Sequence, residues 1–126
     1  MNIKFKDSAH EDFFVIETAN YPQDCYYEAF LYLVGLTDTT RRHFSSIYDD
    51  GIHPESLSAG WQTSTTYKVL RLAFNLFNDC CSDDCDEENL NTHAYCVSEI
   101  FATPYAPYLI EAIKLRYPNY FQTEII

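Results

Sequence analysis

Gly60 to Asp79 reads GWQTSTTYKVLRLAFNLFND. Thr63, Ser64 or Thr65 offers a hydroxyl suited to an N-cap. Past the first turn, polar residues stand only at Lys68, Arg71, Asn75 and Asn78. Steps of three and four place them on one narrow stripe of a helix. Tyr67, Val69, Leu70, Leu72, Ala73, Phe74, Leu76 and Phe77 clothe the rest. A helix so widely apolar needs neighbours on several sides. The stretch therefore predicts an all-α fold: a single compact domain, residues 1–126, with five to six helices around a central apolar helix at about 65–78. Trp61, the single tryptophan, is expected to plug the mouth of this bundle.

The flanking sequence fits that frame. Ser8 and Glu11 have the spacing of a capping box, so a first helix is expected from about Ala9 to Ala19 with Phe13 and Ile16 inward. Asn20-Tyr21-Pro22 ends it. CYYEAFLYLV predicts a second helix from Gln23 or Asp24 to about Val34, apolar nearly all round, with Gly35 as its stop. Thr37 or Asp38 caps a third, TTRRHFSSIYD, with Phe44, Ile47 and Tyr48 inward; IHPESLSAG reads as a loop. A short helix is expected at about Tyr95–Phe101 and a last one at about Pro107–Tyr117, stopped by Pro118. DCCSDDCDEENLNT, residues 79–92, carries six acids in its first ten positions and reads as an exposed, acidic, cysteine-rich loop.

Composition narrows the function. The chain has 126 residues, 47% of them hydrophobic and 17% aromatic, with 3 glycines, too few for an all-β fold of many tight turns. Eight basic residues face nineteen acidic ones, for a net charge of −11. Direct nucleic-acid binding needs the opposite balance, and acidic membranes are disfavoured likewise. A basic protein partner is favoured. No apolar run approaches the roughly 20 residues that cross a bilayer. The N-terminal stretch lacks a signal-peptide pattern, so a cytoplasmic protein is expected. Five cysteines, an odd number, are then expected to be mainly free thiols.

Two blocks carry a family resemblance. GWQT-TTYKV-RLAFNL (Gly60 to Leu76) and YAPYLIEAIKLRYP (Tyr105 to Pro118) resemble an uncharacterised family of short acidic proteins. The likeness spreads from about Phe5 to Tyr120. The resemblance implies a gene carried on plasmids, integrative elements or phages of Gram-positive bacteria, and it brings no catalytic residue with it. The cysteine-rich acidic loop departs from that family's pattern by its length.

Three constellations could carry chemistry. Cys81, Cys85, His93 and Cys96 supply thiolate and imidazole donors for zinc, set against a solvated loop of free thiols with at most an adventitious bond between Cys80 or Cys81 and Cys85. Arg41-Arg42-His43 could hold a phosphate or carboxylate, or could serve a helix end and pair with Asp38, Asp49 or Asp50. Arg71 could pair with Glu111 or Glu99, or line a cleft with His43 in a small enzyme. No nucleophile elbow, phosphate loop or paired-histidine motif is present. From Leu72 to Ile113 there is no lysine or arginine. Carboxylates there can stand in for phosphates against a basic groove, with tyrosines as flat anchors. The favoured expectation is a non-enzymatic acidic inhibitor from a mobile element. It would occupy the nucleic-acid-binding surface of a basic host protein such as a CRISPR or other defence nuclease. Asp83, Asp84, Asp86, Glu87, Glu88, Tyr95 and Glu99 would form the contact, with no cofactor. The alternatives are a zinc-stabilised structural or regulatory module and a small enzyme around Arg71 and His43.

Overall fold

The structure is a computed structural model that describes residues 2–83 and 93–121. Among the described residues there are seven α-helices and no sheet: α1 Ser8–Thr18, α2 Cys25–Val34, α3 Asp38–Arg42, α4 Phe44–Ile47, α5 Ser64–Asn78, α6 Val97–Ile100 and α7 Ala106–Arg116. Short 3-10 turns occupy Pro54–Ser58, His93–Tyr95 and Pro118–Tyr120.

Side-chain caps mark where α1, α2, α3 and α5 begin. The Asp24 carboxylate accepts from the Tyr27 amide at 2.9 Å, and the Thr37 hydroxyl from the Thr40 amide at 3.0 Å. Thr63 and Thr66 cap each other's backbone reciprocally at the head of α5. At α1 the expected Ser8 cap is replaced by Asp7, which accepts from the His10 amide at 2.9 Å. An aspartate in extended backbone satisfies the first-turn amides as a charged acceptor. The expected third helix is broken in two, because His43 (φ −107°, ψ 21°) leaves helical geometry between α3 and α4.

Burial shares the centre between α5 and α2. Ala29 to Val34 are all shut away from solvent, and α2 packs against α1, α5 and α7. Phe30 meets Phe74 at 6.3 Å and Phe77 at 5.0 Å between ring centres, which joins α2 to α5. α1 turns differently from expectation. His10 and Phe14 are its buried residues, Phe13 packs at the core edge, and Ile16 is 60% exposed. His10 can go inside because both ring nitrogens are satisfied: Lys6 N–H donates to Nδ1 (3.1 Å) and Nε2–H donates to the Tyr32 carbonyl (2.8 Å).

Gly35 ends α2, though with φ −75° rather than a left-handed turn. Its lack of a side chain serves close approach instead. A Cβ there would lie 2.6 Å from Phe13 Cδ1 and 3.3 Å from His10 Cδ2. Trp61 is half-buried and stacks flat on His43, with centres 4.3 Å apart and planes 10° from parallel. It is thus a lid over the α3–α4 break rather than a plug in the bundle.

Candidate functional site

The polar stripe of α5 does not face solvent along its length: Lys68, Arg71 and Asn75 are half-buried and Asn78 is exposed. It ties down the chain that follows. Asp79 adopts the left-handed conformation (φ 57°, ψ 22°) and turns the backbone at the helix end. The Asn75 side-chain amide donates to the Cys80 carbonyl at 2.9 Å. The turn brings Asp83 back to Arg71, where Nε donates to Oδ1 and Nη2 to Oδ2, both at 3.0 Å. Tyr95 hydroxyl also donates to Asp83 Oδ1 at 3.0 Å. The Arg71 guanidinium lies 4.8 Å from the Tyr67 ring centre. One turn earlier, Lys68 Nζ donates to the Glu99 carbonyl at 2.5 Å.

The partners expected for Arg71 are therefore corrected. Glu111 accepts from the Lys4 amide at 2.9 Å, and the Glu99 carboxylate meets His93 at 3.1 Å. Asp83 wins because the reversal at Asp79 presents its carboxylate two-pronged to the planar guanidinium. The charged hydrogen bond with Asp83 raises the Arg71 pKa further. Burial, followed by the bond to Asp83, pushes the Tyr95 phenol well above its usual range, so it stays protonated and a donor.

The residues expected to meet a partner are thus placed unevenly. Asp83 is half-buried and committed to Arg71 and Tyr95. Tyr95 packs against the core instead of standing free. Glu99 is exposed. Asp84, Asp86, Glu87 and Glu88 lie outside the described residues, as does Cys85. At the start of the expected loop Cys80 and Ser82 are buried while Asp79 and Cys81 are exposed, Cys80 is disulfide-bonded, and residues 84–92 lie outside the described residues. Cys81 and Cys96 are free and exposed, and no three potential metal ligands gather among the described residues.

Arg41, Arg42 and His43 are also spoken for. Arg42 pairs with Asp38 at 3.0 Å, and Arg41 lies 3.9 Å from the same carboxylate. Arg41 donates to the Gly35 carbonyl at 2.7 Å. His43 Nδ1–H donates to the Thr39 carbonyl at 2.8 Å beneath Trp61. His43 and Arg71 have separate partners among the described residues, and sequence reasoning missed the Arg71–Asp83–Tyr95 clasp. Its one sequence signal was Arg71 on an apolar helix followed, after Asp79, by an acid within reach of a tight turn.

Residues 1–126 match a family of unknown function, DUF6075. The chain belongs to that family. This agrees with the resemblance to an uncharacterised family. No curated protein and no solved structure matches the chain. No described helix is long and apolar enough to cross a membrane.

The clasp gives a direct expectation. Asp83→Ala removes the acceptor of three charge-assisted bonds and should cost about 1–3 kcal/mol of folding stability, given the half-buried setting. Urea unfolding at neutral pH measures it. A loss within the scatter of surface substitutions would mean that water replaces Asp83 without penalty.

Proposed function

We propose that this protein is a non-enzymatic acidic binding protein whose partner is a basic protein. One observation carries the reading: six of the chain's eight cations bond to its own carbonyls or carboxylates, while several exposed acids join no ion pair among the described residues. Arg41, Lys68 and Arg116 donate to the backbone carbonyls of Gly35, Glu99 and Leu76. Arg71 is held by Asp83, Arg42 by Asp38, and Lys6 by Asp7. Glu11, Asp12, Asp49, Asp50 and Asp79 remain exposed and join no ion pair among the described residues. With a net charge of −11, the surface field steers cationic partners toward the molecule and repels phosphate chains.

The finer reading is an inhibitor from a mobile element, acting in the cytoplasm. It covers the nucleic-acid-binding surface of a basic host protein, with a CRISPR or other defence nuclease as the concrete case. Carboxylates then occupy the positions of phosphates against arginine and lysine. Asp84, Asp86, Glu87, Glu88 and Glu99 are the acids proposed for that contact, with Asp83 holding the start of the segment in place.

Affinity capture from host lysate at low and high salt tests this. The expected result is a basic, nucleic-acid-binding protein whose retention falls by about tenfold as salt screens the contact, and whose nucleic acid is displaced when this chain binds it. Reversal of Asp84, Asp86, Glu87 and Glu88 to lysine should abolish capture; Asp83 is left intact so that the clasp survives. Retention indifferent to salt, or a partner without a basic surface, overturns the reading. Undiminished capture by the reversed variant removes the 84–88 acids from the contact.

A further inference from the structure

The chain's own cations cap some of its tyrosines and leave one group bare. Lys4 lies over Tyr108, Lys6 over Tyr105, Arg71 over Tyr67, and Arg116 between Tyr26 and Tyr117 at 3.7 and 4.5 Å. Tyr21, Tyr27 and Tyr48 have no such cation among the described residues. The Tyr21 and Tyr27 rings stack at 5.4 Å and 17°, and Tyr48 stands edge-on to both, at 5.5 and 6.0 Å. The Tyr27 and Tyr48 hydroxyls share a hydrogen bond of 2.7 Å. Phe77 backs the group, 5.1 Å from Tyr27 and 6.1 Å from Tyr48. All three tyrosines are half-buried, so the group is anchored to the core and partly open to solvent.

Its rim is acidic. Glu17 and Asp49 lie near enough to Tyr21 to add to the rise that burial imposes on its phenol, and Asp50 does so for Tyr48. Asp49 and Asp50 sit on a tight turn. Tyr48 and Ile52 pair across it, Asp49 N–H donates to the Gly51 carbonyl at 2.9 Å, and Asp50 takes φ 58° with Gly51 at 143°. No lysine or arginine occurs between Lys6 and Arg41, or between Arg42 and Lys68, the two stretches that supply this rim and the three rings. Glu17, Asp49 and Asp50 join no ion pair among the described residues.

We infer that the Tyr21–Tyr27–Tyr48 face, rimmed by Glu17, Asp49 and Asp50, docks an arginine-bearing segment of a protein partner. Arginine suits it because a guanidinium stacks on a tyrosine face while its N–H groups reach a neighbouring carboxylate. The chain makes this kind of contact internally, with Arg71 over the Tyr67 ring and its N–H groups on the Asp83 carboxylate. The inference rests on the reading of a basic partner and names a surface for it away from the 84–88 acids.

The test is titration of a labelled oligo-arginine peptide into the full chain at low salt, read by fluorescence anisotropy. Two variants probe the face. Tyr21→Leu keeps apolar bulk but removes the π face. The double change Asp49→Asn and Asp50→Asn removes charge, and asparagine tolerates the left-handed backbone at position 50. Each should weaken binding by about tenfold or more. Neutralising Asp84, Asp86, Glu87 and Glu88 to amides should weaken it by only about threefold, as a loss of general field. Aromatic NMR signals of Tyr21, Tyr27 and Tyr48 in the unaltered protein should shift on peptide addition, a readout that survives if a variant misfolds. Binding that ignores both face variants and leaves those signals still overturns the docking face, while the basic-partner reading stands on its own capture experiment. Absence of saturable binding by the unaltered chain overturns the face as well. Loss confined to the 84–88 variant returns the contact to that segment.

Discussion

Phe30→Ala is expected to cost about 3–5 kcal/mol, the range for deleting a buried phenylalanine ring. Phe30 is fully buried on α2. Its ring meets Tyr48 at 5.7 Å, Phe74 at 6.3 Å and Phe77 at 5.0 Å, so one truncation opens a void shared by α2, α5 and the chain after α4. These neighbours are themselves large rings locked against one another, which limits how far they can collapse into the space. Ile16→Ala on α1 provides the contrast. Ile16 is 60% exposed, and its truncation should change stability by no more than about 0.5 kcal/mol. Denaturant unfolding separates them, with the midpoint falling for Phe30→Ala at an unchanged slope. Equal effects at the two positions would contradict the packing of both helices.

That contrast marks where the sequence could be read and where it could not. CYYEAFLYLV was legible as a helix buried on several sides, because an apolar residue at nearly every position leaves no wet face. α5 was legible for its stripe, and its limits were close, since Thr63 announces the start. The inward face of α1 was legible only in part. Phe13 packs at the core edge as expected, yet Ile16 stays exposed while His10 and Phe14 turn inside. A histidine is read as a surface residue unless its partners are known, and those partners, the Lys6 amide and the Tyr32 carbonyl, come from backbone in two different segments. The spacing of His10 and Phe14, one turn apart, was the available sign. The clasp failed to appear for a related reason. Asp83 sits in a stretch whose composition signals solvent, and only the left-handed turn at Asp79 brings it back onto α5. Composition reports the average environment of a segment; a single reversed residue decides which member of it goes inside.

His10 supplies the second large effect, and it depends on pH. Burial disfavours the imidazolium and lowers the His10 pKa below 6.5, although the bond to the Tyr32 carbonyl and the nearby Asp7 charge pull the other way. Protonation at Nδ1 would also turn the acceptor of the Lys6 N–H into a second donor and break that bond. The sign follows from linkage. With a folded pKa below the unfolded value, the unfolded chain takes up the proton first as pH falls. The stabilisation is therefore complete above about pH 6.5 and is lost as pH drops from there toward the folded pKa, at up to about 1.4 kcal/mol per pH unit. Asp7, lowered from 3.8 chiefly by its bond from the His10 amide, adds a second loss only below that value. Glu28 acts in the opposite sense: burial raises its carboxyl above 4.5, so its ionisation lowers stability as pH rises through that raised pKa. A single acid-unfolding curve mixes these contributions, and the difference between unaltered protein and His10→Leu isolates the histidine. At pH 8 the variant should be less stable by about 1–3 kcal/mol for each of the two backbone groups it leaves unpaired, the Lys6 N–H and the Tyr32 carbonyl. Between pH 6.5 and 5 the gap should narrow, because only the unaltered protein loses the histidine contribution there. A gap that stays constant over that interval would mean that His10 titrates alike folded and unfolded, and the buried neutral ring joining α1 to α2 would have to be given up.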